Sequence, residues 1–109
     1  MPVRGRFYLT KSANGDLTGE FSHDRSPAVF TETAIRTPAD QPPAHFTGTY
    51  QSHWIEDSGP VQADLTIIPV EGSDRLVNLR WNRRNSTDRM FNGQAMIVDQ
   101  MLIGDYQSA

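Results

Sequence analysis

Apolar and polar residues alternate along this chain with a period of two, and the alternation is broken roughly every ten residues by clusters of Gly, Pro, Asn and Asp. A period of two is the signature of a strand with one buried face, and helical spacing is hard to find anywhere. One frame, apolar-x-Gly-x-apolar, occurs five times: Val3-Arg4-Gly5-Arg6-Phe7, Leu17-Thr18-Gly19-Glu20-Phe21, Phe46-Thr47-Gly48-Thr49-Tyr50, Phe91-Asn92-Gly93-Gln94-Ala95 and Leu102-Ile103-Gly104-Asp105-Tyr106. The third copy runs on through Gln51-Ser52-His53-Trp54 and is the centre of the pattern. Glycine weakens a strand interior. Its return at one point of the frame therefore predicts a repeated bend or close approach, as at the corners of a coiled barrel.

The alternation predicts eight strands, at residues 4–10, 16–23, 29–36, 45–56, 62–70, 76–81, 89–98 and 101–107. Asn14-Gly15 reads as a two-residue hairpin turn between the first two. In the third strand Val29, Thr31, Thr33 and Ile35 oppose Phe30, Glu32 and Ala34, and the pattern does not choose which set faces inward. Residues 37–43 hold three of the seven prolines, cannot form a central strand, and make the longest loop, a lid or a simple crossing. Asp57-Ser58-Gly59-Pro60 and Glu71-Gly72-Ser73-Asp74 read as turns, and Asp99-Gln100 as a tight connection.

Short connections make sequence neighbours antiparallel neighbours in space. Eight such strands are the number at which an up-and-down sheet closes with room for side chains or one small ligand. The expected fold is all-β: an eight-stranded antiparallel up-and-down barrel in one domain. An open sandwich would leave edges to protect, and no edge device is visible beyond the proline loop.

Composition narrows the function classes. A chain of 109 residues can bury one core unaided. The absence of cysteine removes disulfides, thiol nucleophiles and thiolate metal sites, and suits a reducing compartment. No signal-like start and no membrane-length apolar run are seen, so the expectation is a cytoplasmic protein with no membrane partner. A net charge of −3 gives no general field for nucleic acid. The local exception is Arg80, Arg83, Arg84 and Arg89 around Asn85-Ser86-Thr87, read as a solvated turn or as a site for an anion. That same triplet matches a glycosylation acceptor, and without a secretion signal it is read as a turn.

The hairpin Phe7-Tyr8-Leu9-Thr10 through Asn14-Gly15-Asp16-Leu17-Thr18-Gly19-Glu20-Phe21, with Leu79-Arg80-Trp81-Asn82, Phe91-Asn92-Gly93-Gln94 and Gln100-Met101-Leu102, resembles strands of the calycin superfamily, most nearly the bacterial avidins. The resemblance covers about half the chain in short pieces. It implies a meander barrel with an aromatic-walled site at one end, Trp81 and Phe91 falling on tryptophans of the biotin cage. It does not imply biotin. Phe21 stands where the family has a Tyr, His23 where it has a Ser and Met101 where it has a Trp. The family's first and last strands, with their Asn, Ser and Asp, have no counterpart, while residues 29–36 and 62–70 are additional strands. A site without its hydroxyls cannot satisfy a buried ureido group.

With glycine facing inward, as those pieces imply, alternation places Phe7, Leu9, Leu17, Phe21, Phe46, Tyr50, Trp54, Leu79, Trp81, Phe91 and Tyr106 inside. These residues are a core first of all, and small barrels are often filled by their own side chains. The functional reading is a cavity for a small, largely apolar or aromatic ligand, closed by Trp81, Phe91 and Tyr50. Its candidate ligand-binding residues are Phe21, His23, Tyr50, Ser52, Trp54, Trp81, Phe91 and Tyr106, with Glu32 or Arg80 near the mouth. No catalytic residue is assigned, no cofactor is expected, and no metal site is expected: His45 and His53 share a strand face but stand roughly 27 Å apart. An enzyme of cyclase or isomerase type would need Glu32, His23 or Asp105 enclosed in the cavity. A third alternative is a filled barrel acting as an interaction module. Ile68, Val70, Met90, Met96 and Val98 are expected to leave an outward apolar patch, which points to a homodimer or larger homo-oligomer.

Overall fold

A computed structural model describes residues 2–37 and 45–109. The strands are β1 (Arg4–Lys11), β2 (Leu17–His23), β3 (Phe30–Thr37), β4 (Gly48–Glu56), β5 (Gly59–Pro69), β6 (Leu76–Arg83), β7 (Arg89–Val98) and β8 (Met101–Ser108). Each pairs antiparallel with the next, and β1 pairs with β8 from Arg4↔Gln107 to Thr10↔Met101, so the sheet closes in chain order. Closure satisfies the hydrogen-bonding edges that an open sheet would expose. The fold is the up-and-down barrel expected from the alternation, and among the described residues no helix is long and apolar enough to cross a membrane.

The glycine frame has a steric cause. A Cβ on Gly19 would lie 1.8 Å from the Tyr8 carbonyl oxygen, and one on Gly104 would lie 2.2 Å from that of Gln94. At these positions the coiled sheet presses one backbone against its neighbour, and only a residue without a side chain fits.

Several local expectations are corrected. The β1–β2 connection is a five-residue loop between the paired Lys11 and Leu17, not a two-residue turn. It is tied by Ser12 N donating to the Asp16 carbonyl (2.9 Å) and Asp16 N donating to Asn14 Oδ1 (3.1 Å). Between β4 and β5 only Asp57 and Ser58 turn the chain, since Gly59 and Pro60 already pair with Glu56 and Ile55. The proline segment expected as a lid or crossing lies, over residues 38–44, outside the described residues.

The outward patch is smaller than expected. Met96 is exposed, whereas Ile68, Val70, Met90 and Val98 are half-buried. For Met90 the cause is a bulge: Trp81 pairs with Phe91 and Asn82 with Arg89, so Met90 is the extra residue and packs against the core. The apolar row that the outer wall does carry runs across three strands, Met96 beside Ile103 beside Tyr8.

The core fills one end of the barrel. Leu9, Leu17, Ala34, Ala63, Leu65, Leu79, Ala95 and Leu102 interdigitate there, all nearly inaccessible to solvent. Beyond them, near the end of β3, Arg36 closes that pole: Nη1 donates to the His45 carbonyl (3.0 Å) and to Tyr50 Oη (2.5 Å), and Nη2 to the Thr47 carbonyl (3.0 Å). The opposite end is open inside.

Candidate functional site

At that opposite end, where β1 begins and β2 and β4 finish, the side chains enclose a cavity of about 320 Å³. Its wall is aromatic: Phe7 from β1, Phe21 from β2, Trp54 from β4, Trp81 from β6, Phe91 from β7 and Tyr106 from β8. Inward alternation on six different strands delivers these rings to one level. They brace one another edge to face, Phe7 against Trp81 (5.6 Å between centroids), Phe21 against Trp54 (5.9 Å) and Phe91 against Tyr106 (5.5 Å). Such pairs contribute about 0.5–1.5 kcal/mol each beyond burial, so the wall is held in shape without a ligand.

Glu32 is the charged group set deepest in this wall. β3 turns Phe30, Glu32, Ala34 and Arg36 inward, and Glu32 is 4% exposed. The sequence left this face open because Val29, Thr31, Thr33 and Ile35 are the better strand formers and a carboxylate is a poor core residue. What makes the choice workable is a pair of donors from elsewhere. Ser52 Oγ on β4 donates to Glu32 Oε2 (2.5 Å), and Trp81 Nε1 donates across the lumen to the same oxygen (2.9 Å). Burial pushes the Glu32 carboxyl above the usual carboxylate range, and the two hydrogen bonds offset this only in part.

The mouth carries His23, Arg25 and Glu56. His23 stacks on Phe30 (5.5 Å, 8°), and its Nδ1 accepts from Arg25 N (3.2 Å). The proton of the neutral ring therefore sits on Nε2, which lies 3.7 Å from Glu56 Oε1. Tyr106 donates to the Ser22 carbonyl (3.3 Å), and its hydroxyl is pushed up first by burial and then by the negative charges of Glu56, Glu32 and Asp24.

Six of the eight residues expected to bind a ligand stand around the cavity: Phe21, His23, Trp54, Trp81, Phe91 and Tyr106. Ser52 is fully buried behind Glu32 and acts on the cavity only through that carboxyl group. Tyr50 does not close the cavity. Four residues from Trp54 on one face, it sits about 14 Å further along the strand, where its hydroxyl donates to the Phe46 carbonyl (2.6 Å) and meets Arg36. Arg80 and Asp105 point outward, since both fall on the exposed side of their strands' alternation, and His45 and His53 are exposed. In the arginine-rich hairpin, Arg84 Nε lies 3.1 Å from Asp64 and Arg89 donates to Asn82 and Asn92. Alternation missed Arg25 and Glu56, which lie at a turn and a strand end where periodicity carries no signal.

Comparisons with protein-family models, with curated proteins and with solved structures found no match to this chain. The all-antiparallel closed eight-stranded barrel stands on its own geometry.

Proposed function

We propose that this barrel binds a small, largely apolar or aromatic molecule in the cavity over Glu32, without converting it. The observation that carries the reading is a cavity of about 320 Å³ that the protein's own side chains leave open, walled by six aromatic rings around a single buried carboxyl group. That size is at the lower bound for small-ligand sites, roughly 300–1,000 Å³, so it suits a molecule of one or two rings. An eight-stranded meander with Trp81 and Phe91 on the cavity wall is also consistent with a calycin-like barrel, and the avidin-like part of that likeness remains a proposal about shape, not about biotin. Native mass spectrometry of the protein purified from its own host tests the reading. A co-purifying small molecule that is lost on replacing Trp54 and Phe91 by smaller apolar residues is expected, and a ligand unaffected by both changes argues against this cavity.

Glu32 favours a second reading, a barrel enzyme of cyclase or isomerase type. An enclosed carboxyl group that burial makes hold its proton more tightly is a candidate general acid or base. Chemical change of the co-purifying molecule by wild type and not by Glu32→Gln would move the assignment there.

A further inference from the structure

The floor of the cavity says which kind of small molecule it suits. Glu32 receives hydrogen bonds from two neutral donors, Ser52 and Trp81, and among the described residues no cationic side chain forms an ion pair with it. Both donors end on Oε2, leaving Oε1 as an acceptor with no described partner. A carboxylate is acceptor-only, so the group that would complete it must bring hydrogens and, for a full match, positive charge. Six aromatic rings surround the same space, and ring faces attract cations through their quadrupole. The remaining field has the same sign: the charges of Glu56, Glu32 and Asp24 all act at the Tyr106 hydroxyl on the cavity wall. Among the described residues that line the cavity, the one arginine or lysine is Arg25, on the β2–β3 turn at the rim.

We propose that the cavity takes an organic cation, a compact amine on an aromatic or alkyl body, with its ammonium on Glu32 Oε1 and its body among the rings of Trp54, Trp81, Phe91 and Tyr106. This rests on the small-molecule-binding reading. An organic anion would meet Glu32 and Glu56 without a buried countercharge, and a neutral ligand would bring no positive charge to favour the carboxylate over the protonated acid.

Calorimetric titration of the full chain with three near-isosteric probes, 2-phenylethylamine, 2-phenylethanol and 3-phenylpropionate, tests this at neutral pH. The amine is expected to bind at least about tenfold more tightly than the alcohol, with the carboxylate weakest and the amine's advantage lost in Glu32→Gln. A second measurement does not depend on that variant folding. In wild type, affinity for the amine should fall as pH drops and Glu32 takes up its proton, while affinity for the alcohol stays level. Alcohol binding equal to or tighter than amine binding overturns the cation assignment and leaves the binding reading standing. Failure of all three probes at millimolar concentration removes both.

Discussion

Glu32 shows what one buried acid does to an entire stability profile. A glutamate in the unfolded chain titrates near about 4.3, whereas burial in the barrel holds this carboxyl protonated to higher pH. Between the two values the folded state binds more protons than the unfolded state, so the slope of unfolding free energy with pH is negative there. The contribution is complete below about pH 4.3 and is lost as pH rises through the raised folded value. Urea denaturation of wild type and Glu32→Gln side by side should therefore give a difference that changes with pH, the variant gaining on wild type as pH rises. The gain should be larger at pH 7.5 than at pH 4, because the amide oxygen keeps the Ser52 and Trp81 donors without the charge. A constant difference between pH 4 and 8 would contradict a titrating buried acid. At the other pole, Tyr50→Phe removes the hydroxyl shared by Arg36 and the Phe46 carbonyl. The expected cost is about 1–3 kcal/mol in the same assay, with no change in ligand affinity, since Tyr50 lies away from the cavity.

Among the elements, the glycines of the barrel divide into two kinds, and thermal unfolding should separate them. In β2, Gly19 lies under the Tyr8 carbonyl of β1, and a methyl group there would lie 1.8 Å from a backbone oxygen that cannot swing aside. Gly19→Ala is expected to cost well over about 2 kcal/mol or to prevent folding. Gly72, in the β5–β6 turn, has φ +83° and open space around it. Gly72→Ala meets only the left-handed backbone penalty, about 1–2 kcal/mol. Equal losses at the two sites would remove the close-approach account of the repeated frame. β3 is the element whose direction mattered most for the site. Its alternation was plain from the sequence, but its two faces were nearly matched in apolar character, and the inward one contains Glu32 and Arg36. Only partners on other strands, Trp81 and Ser52 for one and Tyr50 for the other, make that face the buried one.

The whole molecule is a barrel packed at one end and open inside at the other, and this asymmetry is measurable. Leu79→Ala empties a position with no solvent exposure in the filled end and should cost about 2–5 kcal/mol in urea denaturation. Phe91→Ala, half-buried on the wall of a space that is already open, should cost clearly less. Reversal of that order would mean the cavity end carries the packing.

Strand number, antiparallel order, closure and most inward residues were legible in the chain, because each depends on a period of two and on turn residues close in sequence. Six of the eight expected binding residues reached the cavity for the same reason: alternation puts every second side chain on the axis. Height along that axis is a different quantity. It depends on register between strands and on strand tilt, so alternation could group Tyr50 with Trp54 although they belong to opposite poles. The burial of Glu32, the role of Ser52 behind it, and the arrival of Arg25 and Glu56 at the mouth were decided by tertiary structure alone. A hydrogen bond across the lumen joins residues 49 positions apart, and no local pattern encodes a donor that distant.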